Sequence, residues 1–195
     1  VAQKKRRDDY GNGSVLKGIA AGVAGGLVAS WTMNEFQALW SKLSEGFEKP
    51  HGAQSLQTGL PQNGAAEALQ ERGQDEEQGN ATERAAELVA EKVLHRKLSK
   101  TERELGGEIA HYAMGATSGA VYGAMAEVTP LATVGYGLPF GAAVWAAADE
   151  GLVPALGLSK PATAYPLSVH TYALASHLVY GLTTELVRRQ IRRLI

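Results

Sequence analysis

His111–Glu127 reads HYAMGATSGAVYGAMAE, and the spacing within it decides the fold. Glycine stands at 115, 119 and 123, with His111 four residues before the first and Glu127 four residues after the last. Positions four apart lie above one another on a helix, so the five residues form one narrow stripe. The stripe is smooth in the middle and ionisable at both ends.

The same device recurs on either side. Ser14, Gly18, Gly22, Gly26, Ser30, Asn34 and Ala38 are spaced by four, as are Gly137, Gly141, Trp145 and Asp149, and again Ala173, His177, Gly181 and Glu185. Each series lies in or across a charge-free window: 18–34, 109–126, 128–148 and 161–184, of 17, 18, 21 and 24 residues. Spanning a bilayer takes about 20 apolar residues, within a range of roughly 17 to 25. The windows therefore predict four transmembrane helices, with apolar content from Ala, Gly, Val and Leu. The competing reading is a soluble all-α domain with glycine-rich buried helices. Glycine inside a helix costs about 1 kcal/mol in water but is common in membrane helices, which favours the membrane.

Small residues every four positions let helix backbones approach, and close packing is what holds helices together in lipid. The packing set is Gly18, Gly22 and Gly26, Gly115, Gly119 and Gly123, with Gly137, Gly141 and Gly181, and the first two stripes are expected to face each other. Between them, residues 41–104 form a long polar segment with turn signals at Lys49-Pro50, Leu60-Pro61 and Asn63-Gly64. Within it, Asn80 followed by Glu83 predicts the start of a short amphipathic helix near 81–98. Ser99 with Glu102 repeats that capping pattern and opens the next span, which Thr129-Pro130 closes.

The resulting plan is an all-α membrane protein. A basic N-terminus covers 1–14, the first span 15–40, the external polar segment 41–104, the second span 105–128, and the third 131–152. An external loop at 153–165, a fourth span at 166–187 and a basic tail at 188–195 complete it. Lys4, Lys5, Arg6 and Arg7 at one end and Arg188, Arg189, Arg192 and Arg193 at the other place both termini in the cytoplasm, since the loop between spans three and four carries only Lys160. KKRR precedes an apolar run long enough to remain as a span, and no clean cleavage site follows it.

Charged side chains deep in a bilayer cost at least about 2.5 to 3.5 kcal/mol and normally have a partner or a function. On this topology Glu35, Glu108, Glu150 and His170 form an outer polar cluster, with His111 and Asp149 at similar depth. His177 lies near the middle, and Glu127 and Glu185 near the cytoplasmic face. The candidate buried ionisable network is His111, Glu127, Asp149, His177 and Glu185. Such groups can carry or sense protons, or simply bind one another across helices.

The formal net charge of −1 argues against a nucleic-acid binder, and the absence of cysteine excludes disulfides, thiolate zinc sites and iron–sulfur clusters. Glu108 and His111 form one Glu-x-x-His, whereas a di-iron bundle needs two with two further glutamates. A haem between His111 and His170 or His177 is geometrically possible but lacks a paired-histidine pattern. No metal site, no cofactor and no catalytic residues are expected.

From about Gly107 onward the chain resembles the YagU-like family of bacterial inner-membrane proteins, whose molecular function is unknown. The resemblance rests on His111, Tyr122, Ala126-Glu127-Val128 with Pro130, Gly137 and Gly141, then Pro154, Gly157, Leu158 and Pro161, and finally His177-Leu178-Val179, Glu185 and Arg188-Arg189. It implies a polytopic inner-membrane protein linked to survival in acid, and it does not imply an enzyme. Asp149 departs from it, standing where a histidine is expected, and residues 41–104 match nothing in the pattern. The sequence thus predicts a non-enzymatic inner-membrane protein, proton-responsive and tied to acid or envelope stress, with the lipid bilayer and copies of itself or a larger membrane complex as partners. The alternatives are an accessory subunit of such a complex, or a channel or transporter formed as a homo-oligomer.

Overall fold

The computed structural model describes residues 2–44 and 80–195, with side chains from Ser14 in the first segment. The expectations for residues 45–79 lie outside the described residues. The longer α-helices among the described residues are α1 (Ala2–Ser44), α2 (Ala81–Val89), α3 (Lys100–Val128), α4 (Leu138–Ala147) and α5 (Leu167–Leu194). No strand occurs among the described residues, so the protein is all-helical there.

Local chemistry sets the helix ends. The N–H of Glu83 donates to Asn80 Oδ1 at 2.9 Å and Asn80 Nδ2 donates back to Glu83 Oε1 at 2.9 Å, which starts α2. Ser99 and Glu102 make the same reciprocal pair ahead of α3, with Ser99 N donating to Glu102 Oε2 at 2.9 Å. Two helices do not end cleanly but widen into π-type turns, α2 over Ala90–Leu94 and α4 over Ala148–Leu152. Such turns insert a residue and re-aim the side chains on them, and they gather at functional positions.

The third predicted span differs from its expected form. Regular helix begins at Leu138 rather than 131, because Pro130–Gly137 is a 3₁₀-type segment broken at Val134, Gly135 and Tyr136. Gly135, Tyr136 and Gly137 have φ of 71°, 55° and 83°, a left-handed run that no α-helix contains. Two stretches are long and apolar enough to cross a membrane, Ser14–Leu43 and Pro130–Ala155. The helices α3 and α5, of 29 and 28 residues, overlap the other two windows and are long enough to span but less apolar. Glycine, serine, threonine, tyrosine and histidine dilute their hydropathy.

The chain forms two compact units. The first takes α1 up to Phe36, Tyr112–Ala143 and His177–Ile195; the second takes Gln37–His111, of which 80–111 and the end of α1 are described, and Val144–Ser176. The core of the first unit is built from Ala21, Ala29, Met33, Tyr122 and Tyr180. Tyr122 stacks on Phe140 with centroids 4.4 Å apart, and Phe140 reaches Tyr180 at 6.0 Å. In the second unit Ala90, Ala148, Leu158, Tyr165, Val169 and Ala173 are buried. Trp40 meets Tyr172 there edge to face, with centroids 5.8 Å apart.

Candidate functional site

In the first unit the stripes of α1 and α3 face each other in antiparallel register. A methyl group added at Gly18, Gly22 or Gly26 would strike the carbonyl oxygen of Gly123, Gly119 or Gly115 respectively. Gly137 and Gly141 stand in the same relation to the carbonyls of Gly181 and His177 on α5. Gly25, outside the stripe of fours, lies against the carbonyl of Thr184. Backbones this close leave polar side chains free to bond across helices, and Tyr180 Oη donates to the carbonyl of Gly115 at 2.7 Å with Ser118 Oγ 2.9 Å away.

At one end of this packing lies an ionic lattice centred on two of the predicted network residues. Glu185 is fully buried and takes Arg188 Nε at 2.6 Å, Arg188 Nη2 at 3.1 Å and Arg189 Nε at 2.5 Å. Glu127 takes Arg192 Nε at 2.6 Å and Nη2 at 2.9 Å, and it also accepts a bond from Ser14 Oγ. Arg188 Nη1 reaches Glu127 Oε1 at 3.7 Å, so one guanidinium joins the two carboxylates. The lattice ties α1, α3 and α5 together. The pKa of Arg189 and Arg192 is raised by the bonds to Glu185 and Glu127. The Arg189 guanidinium also lies over the Tyr136 ring, 4.6 Å from its centroid.

Sequence reasoning named the two glutamates but missed Ser14, Arg188, Arg189 and Arg192 as their partners. The signal was present, since Arg188 and Arg189 follow Glu185 by three and four residues on one helix face. In the sequence those arginines mark orientation, and Arg188-Arg189 also carries part of the family resemblance.

The other predicted residues are distributed between the units. His177 is buried in the first, under Gly141; His111 and Asp149 belong to the second and are half-buried. Of the predicted outer cluster, Glu35 and Glu108 are exposed, the former in the first unit and the latter in the second. Glu150 and His170 do meet, on the π-type turn after α4 and on α5. His170 Nδ1 lies 2.5 Å from Glu150 Oε1, and Nε2 lies 3.1 Å from the carbonyl oxygen of Ala162.

The second unit also fixes α2 on the first turns of α3. Arg103 reaches Glu83 at 3.7 Å and Glu87 at 3.6 Å, while Gly106 and Gly107 lie against Ala86 and Glu83. Arg84 Nη1 donates to the carbonyl of Leu158 at 3.5 Å. Among the described residues no group of three or more His, Cys, Asp or Glu side chains is placed to hold a metal ion.

The architecture defines an all-helical protein with membrane-helix character. The chain belongs to a family whose members are described as proteins of unknown function, DUF1440, matched over residues 60–186, in keeping with the YagU-like resemblance. The match begins well before Gly107, so it takes in the later part of the polar segment, which the resemblance had left outside. No curated protein and no solved structure matches the chain.

Proposed function

We propose that the protein is a non-enzymatic polytopic protein of the bacterial inner membrane, with four spans and both termini in the cytoplasm, that responds to protons. The two apolar stretches support the membrane assignment, together with α3 and α5, whose lengths suffice for a bilayer. The stripe of facing glycines, a device suited to packing in lipid, supports it further. The arginines at 188–193 favour the cytoplasmic placement of the C-terminus.

One observation carries the proton response: both ring nitrogens of His170 face acceptors, Glu150 and the Ala162 carbonyl. A neutral imidazole donates from one nitrogen only, so making both bonds at once takes one proton more than a neutral ring and a carboxylate supply. Losing that proton breaks one of the two bonds and frees either the turn at Ala162 or the π-type turn at Glu150. The lattice glutamates serve this reading as anchors, because arginine neutralises both. The resemblance to a family linked to acid survival points the response toward acid or envelope stress.

The test is proton flux in vesicles and survival at low pH for His170→Gln and Glu150→Gln, with His177→Gln alongside. Loss of either readout in the first two variants is expected. Wild-type behaviour in both sinks the proton-responsive role.

A second reading, an accessory subunit of a larger membrane complex or a self-associating protein, is favoured by Leu88, Val89, Val93 and Leu94. These are exposed on α2 and its π-type extension. Gentle detergent extraction followed by native mass analysis tests it, and a bare monomer counts against it.

A further inference from the structure

The ionic lattice of the first unit is not charge-balanced. Arg188, Arg189, Arg192, Arg193 and Lys17 gather at the end of α5 around two carboxylates, Glu127 and Glu185, which leaves a surplus of three positive charges among the described side chains. Lys17 Nζ donates to the main-chain oxygen of Ile195 at 2.5 Å, and Arg193 Nη1 to Gln190 Oε1 at 3.3 Å. The Gln190 amide carries no charge to offset Arg193. Arg189 and Arg193 stand four apart on α5 and therefore on one face, and Glu185 offsets only the first of them.

A second observation says what kind of anion fits. Beside Arg189 the segment Pro130–Gly137 exposes Leu131, Val134 and Tyr136. The Tyr136 ring is held under the Arg189 guanidinium by a left-handed backbone that bulky residues rarely adopt. Gly137 fixes that backbone, because a side chain there would strike Gly181. Cations beside exposed apolar and aromatic side chains match the boundary between phosphate and acyl chain, where tyrosine is enriched. A free anion has no use for the apolar part.

We propose that Arg189 and Arg193, with Tyr136 beneath and Leu131 and Val134 alongside, bind the phosphate of an anionic phospholipid in the cytoplasmic leaflet. Arg189 gives Nε to Glu185, and its terminal nitrogens are assigned to the phosphate. Arg193 supplies the second charge. The proposal rests on the membrane assignment made above.

The test uses the full-length protein in mild detergent, titrated separately with phosphatidylglycerol, phosphatidylcholine and inorganic phosphate. Bound lipid is read by native mass spectrometry and stability by the thermal midpoint. Wild-type protein should retain phosphatidylglycerol over phosphatidylcholine, with a preference that falls roughly fivefold for each arginine replaced. Arg189→Gln also disturbs Glu185, so Arg193→Gln, whose only described bond is to Gln190, is the decisive variant. Equal retention of the two lipids, or undiminished preference in Arg193→Gln, overturns the site. A midpoint shift from inorganic phosphate as large as that from phosphatidylglycerol overturns the assignment to lipid. A carbonate wash of cell membranes separates the two levels: protein that stays in the pellet but shows no lipid preference defeats the site alone, and protein that washes out defeats the membrane reading itself.

Discussion

Both units use glycine to bring helices together and both hold a carboxylate against a cation, yet the two do so in different ways. In the first unit the atoms facing Gly22 and Gly26 are main-chain carbonyls of another long helix, which cannot yield without moving that helix. In the second, Gly106 and Gly107 face Ala86 and Glu83 of α2, a helix of nine residues. The carboxylates differ likewise: Glu185 is buried and held by two permanently charged guanidinium groups, whereas Glu150 is half-buried beside a histidine whose charge is changeable. The first unit is thus built to stay as it is, and the second has parts that can shift.

The contrast is tested most severely at the buried carboxylate. Glu185→Gln leaves Arg188 buried beside a neutral amide and should cost about 3–5 kcal/mol of unfolding free energy, read by denaturant titration in micelles. Glu150→Gln should cost only about 1 kcal/mol, the scale of one hydrogen bond. Equal losses would erase the distinction between the units.

Next in size is the glycine contact. Gly22→Ala puts a methyl group on the Gly119 carbonyl and should cost about 1–3 kcal/mol, with a visible fall in folded yield. Gly106→Ala, opposed by the Ala86 methyl on a short helix able to move, should cost less than half of that in the same titration. The reverse order would show α2 to be the more rigid partner. Gly151→Ala in the second unit meets only the Ala146 carbonyl at 3.4 Å and should change stability by about 0.5 kcal/mol in the favourable direction, because it restricts the unfolded chain.

The smallest effect lies at the cap of α3. The Arg96 guanidinium, with help from the Ser99 N–H and hydroxyl, lowers the Glu102 pKa from the ordinary 4.5 to about 2. A carboxylate favoured by the fold stabilises it fully above pH 4.5, and that contribution is lost as the pH falls toward 2. A carboxyl-resolved NMR titration should therefore find Glu102 still ionised at pH 3, and Glu102→Gln should remove this part of the acid sensitivity. A midpoint near 4.5 would mean the Arg96 contact does not form in solution.

Much of the fold was legible because it depends on spacing along one helix. The stripes of four, the Asn80 and Ser99 caps and the stop at Thr129-Pro130 are local, and local chemistry is written in neighbouring residues. That Gly18–Gly26 should face Gly115–Gly123 was an expectation from matched smoothness, whereas smoothness says nothing of the register. The break at Val134–Tyr136 was not, because an apolar window says nothing about backbone handedness. Within the candidate site, Glu127 and Glu185 stood out by being charged near the ends of apolar windows. Their arginines did not, because a basic tail has an adequate explanation in topology.

What the sequence determined by itself is the set of helices, their small-residue faces and the places where charge is expensive, since each follows from the period of the helix and the composition of a window. Only the tertiary structure decided which charges meet. Glu127 and Arg192 are 65 residues apart, Ser14 and Glu127 are 113 apart, and Glu150 and His170 are 20 apart with a turn between them. Those pairings depend on the depth at which one helix stops against another, and backbone contact at the glycines sets that depth.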